Sequence, residues 1–425
     1  MARLVVQGGK PLQGSIPACG AKNAALPIIA AAILAKGEVV LERVPDISDV
    51  WVMSDILRAI GVKVEFEGKG RMLLDSRNVF TTTAPDDLVR KMNASFDVAG
   101  PLLACYGEAR VSLPGGCRLG PRPVDLHLEG FKKLGAEILS EGGFAHVRVA
   151  GRLQGAHIRF PKVSVGATKN CLMAATMAEG VTLLENCARE PEIGDLADFL
   201  VKMGARIEGI GTSRLRVHGV ERLHGASHTI VADRIETGTY LIGGAVTGGD
   251  VTLTECEPEH VAALLDHLRE AGQEVSVGDR WVRVQGRRPI RALDVSTAPY
   301  PGFPTDLHPQ LVSLLCLAEG TSTLQENIFS GRFMYVMELV RLGAKVKAED
   351  RHVVIKGVNK LSGAPVDAPD IRAGGGLVLA ALVAEGETVI SGVEFVDRGY
   401  QDLEQRLSAL GADIVRVQGP LPQVA

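Results

Sequence analysis

The chain has 425 residues, enough for two or three domains. Lys and Arg number 46 against 50 Asp and Glu, so the formal net charge is −4. That excludes a generic nucleic-acid binder with its basic excess, and leaves room for an anionic ligand in a local basic cleft. The apolar share of 46% excludes disorder, and with aromatics at only 4% the cores must be built from Leu, Ile, Val and Ala.

Seven cysteines without a CxxC pair predict a reducing compartment, with neither a disulfide framework nor a zinc site. The longest apolar run, Ala24 to Ala35, has 12 residues and contains Pro27, whereas a membrane span needs about 20. The start, MARLVVQGG, lacks an apolar stretch of signal-peptide length. A cytoplasmic protein without membrane or nucleic-acid partners is expected, and its oligomeric state stays open.

Along the chain one element recurs six times: an apolar helix-like run, a small turn, then a β-rich stretch. The copies are KNAALPIIAAAILAKGEVVLERV, ASFDVAGPLLACYGEARVSL, TKNCLMAATMAEGVTLLENC, GTYLIGGAVTGGDVTLTEC, DLHPQLVSLLCLAEGTSTLQEN and GGGLVLAALVAEGETVISGV. Their turn glycines are Gly37, Gly107, Gly180, Gly249, Gly320 and Gly386. Interleaved with them are six amphipathic helices, each ending on a glycine: Gly61, Gly135, Gly204, Gly272, Gly343 and Gly411. Both markers recur every 66 to 74 residues, so two independent signals share one period.

Each unit reads as apolar helix, strand, loop, amphipathic helix, glycine cap, strand, turn, strand. A helix apolar nearly all round must be buried on every side, so the first helix of each unit is expected inside. Six units exceed one core, which predicts two α/β domains of three units each. The last unit ends at ADIVRVQG without a closing strand, and RLVVQGG and GSIPA at the N-terminus look like the missing piece. Residues 1–21 and 232–425 are therefore expected to form one domain, and 22–231 the other.

Polar residues gather just before the interior helices: Lys22 and Asn23, Lys162 with Ser164 to Gly166, Arg234 and Glu236, Asp306, and Asp370 with Arg372. Free N–H groups and the positive dipole end suit phosphates there. For any single Asn, Ser or Asp taken alone, capping is the favoured reading. It explains Lys and Arg less well, since cations oppose the dipole unless an anion is bound.

The loop LPGGCRLGPRPVD, Leu113 to Asp125, carries Cys117 between glycines and beside Arg118 and Arg122, which favour thiolate. A surface loop with an incidental thiol is the alternative. The other six cysteines sit in apolar or strand-like settings and read as inert. Arg122, Arg332 and Arg398 share a phase in their units, which suggests convergence on one anion. Asp306, in the proline-rich YPGFPTDLHPQ, is the best general-base candidate, and an N-cap its alternative. His127 and His308 lie near these segments, but no spacing supports a metal site, and no cofactor is called for.

GAKNAALP (20–27), LPGGCRLGPRPVDLH (113–127), KVSVGAT (162–168), REPEI (189–193), DRIETGT (233–239), TAPYPGFPTD (297–306), GRFM (331–334) and DRGY (397–400) resemble the UDP-N-acetylglucosamine 1-carboxyvinyltransferase family. The resemblance covers essentially the whole chain, in order. It implies two inside-out α/β barrels of three repeats each. It also implies transfer of the enolpyruvyl group of phosphoenolpyruvate to the 3-hydroxyl of UDP-N-acetylglucosamine, which opens peptidoglycan synthesis.

By motif, Cys117 would protonate C3 or form a covalent phosphoenolpyruvate adduct, and would be the thiol alkylated by fosfomycin. Asp306 would be the base, and Lys22, Arg122 and Arg398 would hold phosphoenolpyruvate. Asn23 would contact the sugar; Arg122, Pro123, Val124, Asp125 and Leu126 would line the uridine side. Lys162, Ser164, Val165 and Gly166 would meet the diphosphate, and Ile328 the nucleotide sugar. Arg234, Arg332, Asp370 and Arg372 complete the expected binding set. Two positions depart from the family pattern: Asn93 stands where MRAS has Arg, and Ser330-Gly331 where Glu-Asn is usual. The rival readings are the shikimate-pathway enolpyruvyl transferase, whose PGDKS-like and NAGTA-like motifs are missing here, and a non-enzymatic repeat scaffold.

Overall fold

The computed structural model describes residues 2–113 and 124–418. The chain divides into two compact units, Gly20–Val231 and Met1–Cys19 with Ala232–Ala425. Each unit contains three copies of one α/β repeat and a core of its own.

The interior helices of the first unit are Lys22–Ala31, Ala99–Tyr106 and Val165–Ala175. Those of the second are Arg234–Thr247, His308–Leu315 and Ile371–Ala381. In Lys22–Ala31 every residue but Asn23 is buried, and in His308–Leu315 every residue is. A helix without a polar face has no other stable place than among neighbours on all sides, and burying each Leu or Ile there contributes about 1.5–3 kcal/mol.

Small residues let these helices approach. A Cβ on Gly376 would lie 2.9 Å from the carbonyl carbon and oxygen of Pro309 on the neighbouring helix, and Ser313 donates to Gly376 O at 2.8 Å. A Cβ on Gly100 would lie 2.6 Å from Asn170 O.

The amphipathic helices are Ser48–Ile60, Asp125–Lys133, Pro191–Lys202, Ala262–Glu270, Tyr335–Arg341 and Leu403–Ala409. The glycine just past each end adopts a positive φ, between 88° and 108°. The turn glycines after the interior helices follow the expectation less uniformly. Lys36 and Gly248, not Gly37 and Gly249, take the left-handed position in the first and fourth copies.

Among the described residues, five repeats close on a four-stranded sheet with one plan, and the second closes on three antiparallel strands, Glu108–Ser112, Phe144–Arg148 and Glu137–Glu141. Glu38–Glu42 pairs in parallel with Ser227–Thr229 and antiparallel with Arg71–Asp75, which pairs with Lys63–Gly68. Val181–Glu185, Asp250–Thr254 and Thr321–Gln325 are central strands of the same kind.

In the sixth copy the antiparallel neighbour of Glu387–Ser391 is Ala2–Gln7, which also pairs with Asp413–Gln418. Gln13–Pro17 joins Asp250–Thr254 in parallel. The N-terminal strands thus supply the pieces that the sequence pattern lacks at its end. Among the described residues, no helix is long and apolar enough to cross a membrane.

Candidate active site

In the unit Gly20–Val231 the polar residues sit at the starts of the interior helices. Lys22 opens the first of them, is only 7% exposed, and places Nζ 2.6 Å from Asp49 Oδ2. Asp49 is itself buried, in the first turn of Ser48–Ile60. The cation that opposes the helix dipole at Lys22 is therefore matched by a protein carboxylate. Asn23 beside it is half-buried.

Ser164 caps Val165–Ala175, its Oγ accepting from Ala167 N at 3.3 Å. Lys162 is exposed, as is Val165, while Gly166 is half-buried. A Cβ on Gly166 would meet His127 Nε2 at 2.8 Å, so this position admits no side chain without moving the imidazole.

His127 lies in the helix opened by Asp125 and is fixed from its other nitrogen: Asn170 Nδ2 donates to Nδ1 at 2.9 Å. Asn170 also donates to Phe96 O and accepts from Gly100 N. Burial, with Lys169 adding to it, pushes the His127 pKa down to about 3, so the ring is neutral. Val124 is buried, Leu126 half-buried and Asp125 exposed. Cys117, Arg118, Arg122 and Pro123 lie outside the described residues.

In the other unit Asp306 occupies the short 3-10 turn Thr305–Leu307 that leads into His308–Leu315. It does not cap that helix, whose N-cap is Leu307. Arg332 Nη1 donates to Asp306 Oδ1 at 2.8 Å, and Arg372 Nε donates to Oδ2 at 3.1 Å. Both guanidiniums are 3% exposed.

Burial opposes the charge on Arg372, but Asp306, then Tyr400 and Asp233, outweigh it and hold its pKa above the usual arginine range. Arg332 Nε and Arg372 Nη1 are buried N–H groups without a hydrogen-bond partner, so each arginine keeps a donor for an anion.

The remaining expected residues divide by role. Asp370 caps Ile371–Ala381, accepting from Arg372 N at 2.9 Å and Ala373 N at 3.0 Å. Asp233 caps Arg234–Thr247 through Ile235 N and Glu236 N; its carboxylate serves the helix end and not simply its neighbour Arg234. Arg234 lies 5.6 Å from the centroid of the Tyr300 ring and lines a small cleft with His260, Tyr300 and Pro304. Arg398 is half-buried in the turn after the helix Val393–Val396. Ile328 is half-buried, and its N–H donates to Glu326 Oε1 at 2.7 Å.

Arg332 joins Arg372 on Asp306, a pairing that sequence phase did not reveal. Sequence reasoning also missed Asp49, Thr305 and Glu326. The available signal for Glu326 was a lone acid directly after the alternating strand Thr321–Gln325. The described cysteines are free, and burial raises the thiol pKa to about 12 in Cys105, Cys187 and Cys316, and further in Cys19 and Cys171. Among the described residues, no group of acidic, His and Cys side chains could hold a metal ion.

The family model of EPSP synthase (3-phosphoshikimate 1-carboxyvinyltransferase) matches residues 6–407. A UDP-N-acetylglucosamine 1-carboxyvinyltransferase of Koribacter versatilis (strain Ellin345) is 51% identical, over 100% of this chain and 99% of its own. One of Granulibacter bethesdensis is 50% identical, over 99% of this chain and 100% of its own.

Among solved structures, the enolpyruvyl transferase NikO from Streptomyces tendae superposes with a TM-score of 0.89 at 27% identity, covering 99% of both chains. EPSP synthase from Acinetobacter baumannii reaches 0.79 at 18% identity, covering 98% of this chain and 100% of its own; that likeness speaks for the fold alone. The chain belongs to the family of the UDP-N-acetylglucosamine 1-carboxyvinyltransferases, within the wider EPSP synthase family.

Proposed function

We propose that this protein transfers the enolpyruvyl group of phosphoenolpyruvate to the 3-hydroxyl of UDP-N-acetylglucosamine and releases phosphate, the first committed step of peptidoglycan synthesis. The observation that carries the proposal is the full-length likeness, at about half identity, to proteins of that activity. The site chemistry is consistent with it. The acceptor offers a weakly acidic hydroxyl and the donor several negative charges. The chain offers a carboxylate, Asp306, between two buried guanidiniums that each keep an unused N–H.

In this reading the sugar oxygen bonds to C2 of phosphoenolpyruvate while its proton passes to Asp306 and C3 gains a proton, supplied by Cys117. The tetrahedral ketal then loses a proton from C3, the C2–O bond to phosphate breaks, and the enol ether remains. Asp306 has to exchange one arginine contact for the substrate hydroxyl. The donor's carboxylate and phosphate are suitable replacement partners for the arginine released. Lys22, Arg122 and Arg398 hold phosphoenolpyruvate. Asn23, Val124, Asp125, Leu126, Lys162, Ser164, Val165, Gly166 and Ile328 serve the nucleotide sugar.

A cytoplasmic location belongs to the same reading, because both substrates are multiply charged anions for which a bilayer is a steep barrier. The experiment is phosphate release from phosphoenolpyruvate with UDP-N-acetylglucosamine or shikimate 3-phosphate as acceptor. Release with the first alone supports the reading, and release with the second alone replaces it by the shikimate-pathway activity. Release with neither leaves a non-catalytic repeat protein.

A further inference from the structure

We propose that Glu326 is a positioning residue for the reaction: through the Thr305 hydroxyl it fixes the Arg332 guanidinium, and through that the carboxylate of Asp306. The proposal rests on the reading of Asp306 given above.

Glu326 is fully buried, directly after the strand Thr321–Gln325. Its two carboxylate oxygens do different work. Oε1 accepts from Ile328 N at 2.7 Å and from Phe329 N at 2.9 Å, which fixes the backbone leading to Arg332. Oε2 accepts the hydroxyl hydrogen of Thr305 at 2.8 Å. Thr305 has one hydrogen to give. Because Glu326 takes it, the hydroxyl's free lone pairs are left to accept from Arg332 Nη1, at 2.9 Å. The same Nη1 donates to Asp306 Oδ1 at 2.8 Å.

The chain of donors has one direction: Arg332 to Thr305 to Glu326. An acceptor-only group at its end is what sets that direction. A neutral amide at position 326 could present N–H to Thr305. The hydroxyl would then turn its hydrogen toward the guanidinium, donor against donor.

His308 lies beneath this relay, Nε2 3.6 Å from Glu326 Oε2 and Nδ1 3.0 Å from the Tyr335 hydroxyl. Burial, with Arg332 adding to it, pushes the His308 pKa well down. The imidazole is neutral, so it does not cancel the Glu326 charge. A carboxylate wholly inside the protein, with no cation at its own oxygens in this relay, is costly to keep. Its use here is orientation of the groups around Asp306.

The test compares Glu326→Gln, Thr305→Val, Thr305→Ser and the double variant Glu326→Gln/Thr305→Val. Single-turnover phosphate release, nucleotide binding and the thermal midpoint are measured for each. Glu326→Gln and Thr305→Val should each lower the rate about 10- to 10²-fold, the scale of a misplaced reacting group. Nucleotide binding should stay near wild type. The double variant should lose no more than the worse single one, because both cut the same relay. Thr305→Ser, which keeps the hydroxyl, should recover most of the loss seen in Thr305→Val.

Wild-type rates in Glu326→Gln, or losses that multiply in the double variant, would overturn the proposal. If Glu326→Gln does not fold, equal rates for Thr305→Ser and Thr305→Val would overturn it. Asp306→Asn, run alongside, separates the two claims. If that variant keeps its turnover, the reading of Asp306 has failed. If it loses turnover while the Thr305 and Glu326 variants keep theirs, only the relay has.

Discussion

Arg372 Nε meets Asp306 Oδ2 at 3.1 Å although the two residues lie 66 positions apart in the chain. Arg332 holds the other carboxylate oxygen, so Asp306 is an anion between two buried cations before any substrate arrives. Removing its charge should be felt in turnover. Asp306→Asn keeps the shape and one acceptor oxygen but cannot take a proton at the sugar hydroxyl. General-base loss costs about 10²–10⁴ in rate. Rapid-quench turnover should fall by that order while calorimetric binding of the nucleotide sugar stays near wild type. Loss of binding with intact chemistry would make Asp306 a binding group instead.

Lys22 and Asp49 form a second pair, with side chains 9% and 3% exposed. Breaking a buried pair from one side costs up to about 3–5 kcal/mol, because the charge left behind loses its close counter-ion. Lys22→Ala should lower the thermal midpoint, and Lys22→Ala/Asp49→Ala should recover part of it. Turnover should not recover, because the double variant still lacks the cation proposed for phosphoenolpyruvate. Recovery of both would make Lys22 purely structural.

His127 gives a pH dependence. Its folded pKa of about 3 lies below the ordinary 6.5. The unfolded chain therefore binds the extra proton first as pH falls. Stability from this group is complete above about pH 6.5 and declines as pH drops toward 3. At about 1.36 kcal/mol per unit, the decline is about 2 kcal/mol by pH 5. His127→Gln should flatten the fall of the thermal midpoint between pH 6.5 and 4. An unchanged slope would assign the acid sensitivity to other groups.

Gly376→Ala should destabilise by about 1–3 kcal/mol, because the new methyl meets Pro309 backbone atoms that cannot rotate aside. Urea denaturation measures this directly. A neutral result would mean that the helices Ile371–Ala381 and His308–Leu315 can separate without loss.

Much of this architecture is legible in the sequence because it is local or periodic. Helices such as Lys22–Ala31, apolar on all sides, announce their burial, and Gly61 and its five counterparts mark helix ends by a φ few other residues adopt. The phase of the repeat is enough to pair the strand Ala2–Gln7 with the last repeat. The turn at Lys36 was misplaced by one residue, since a lysine in the left-handed region carries no compositional signal.

From residue pattern the site was legible as polar residues before interior helices, with Asp306 singled out as the base candidate, but not as a set of contacts. Which of them cap, as Asp233 and Asp370 do, and which face a guanidinium, as Asp306 does, depends on side chains brought together from distant repeats. Glu326 stood out only as a lone acid after the strand Thr321–Gln325, because its partners Thr305 and Arg332 are set by the fold and not by spacing.

The central claim is the acceptor. Purified protein with phosphoenolpyruvate and UDP-N-acetylglucosamine should release one phosphate per enol ether formed, with the new vinyl protons seen by NMR on the sugar product. With shikimate 3-phosphate in its place, no phosphate should appear. Phosphate release that depends on shikimate 3-phosphate and not on the nucleotide sugar would contradict the account.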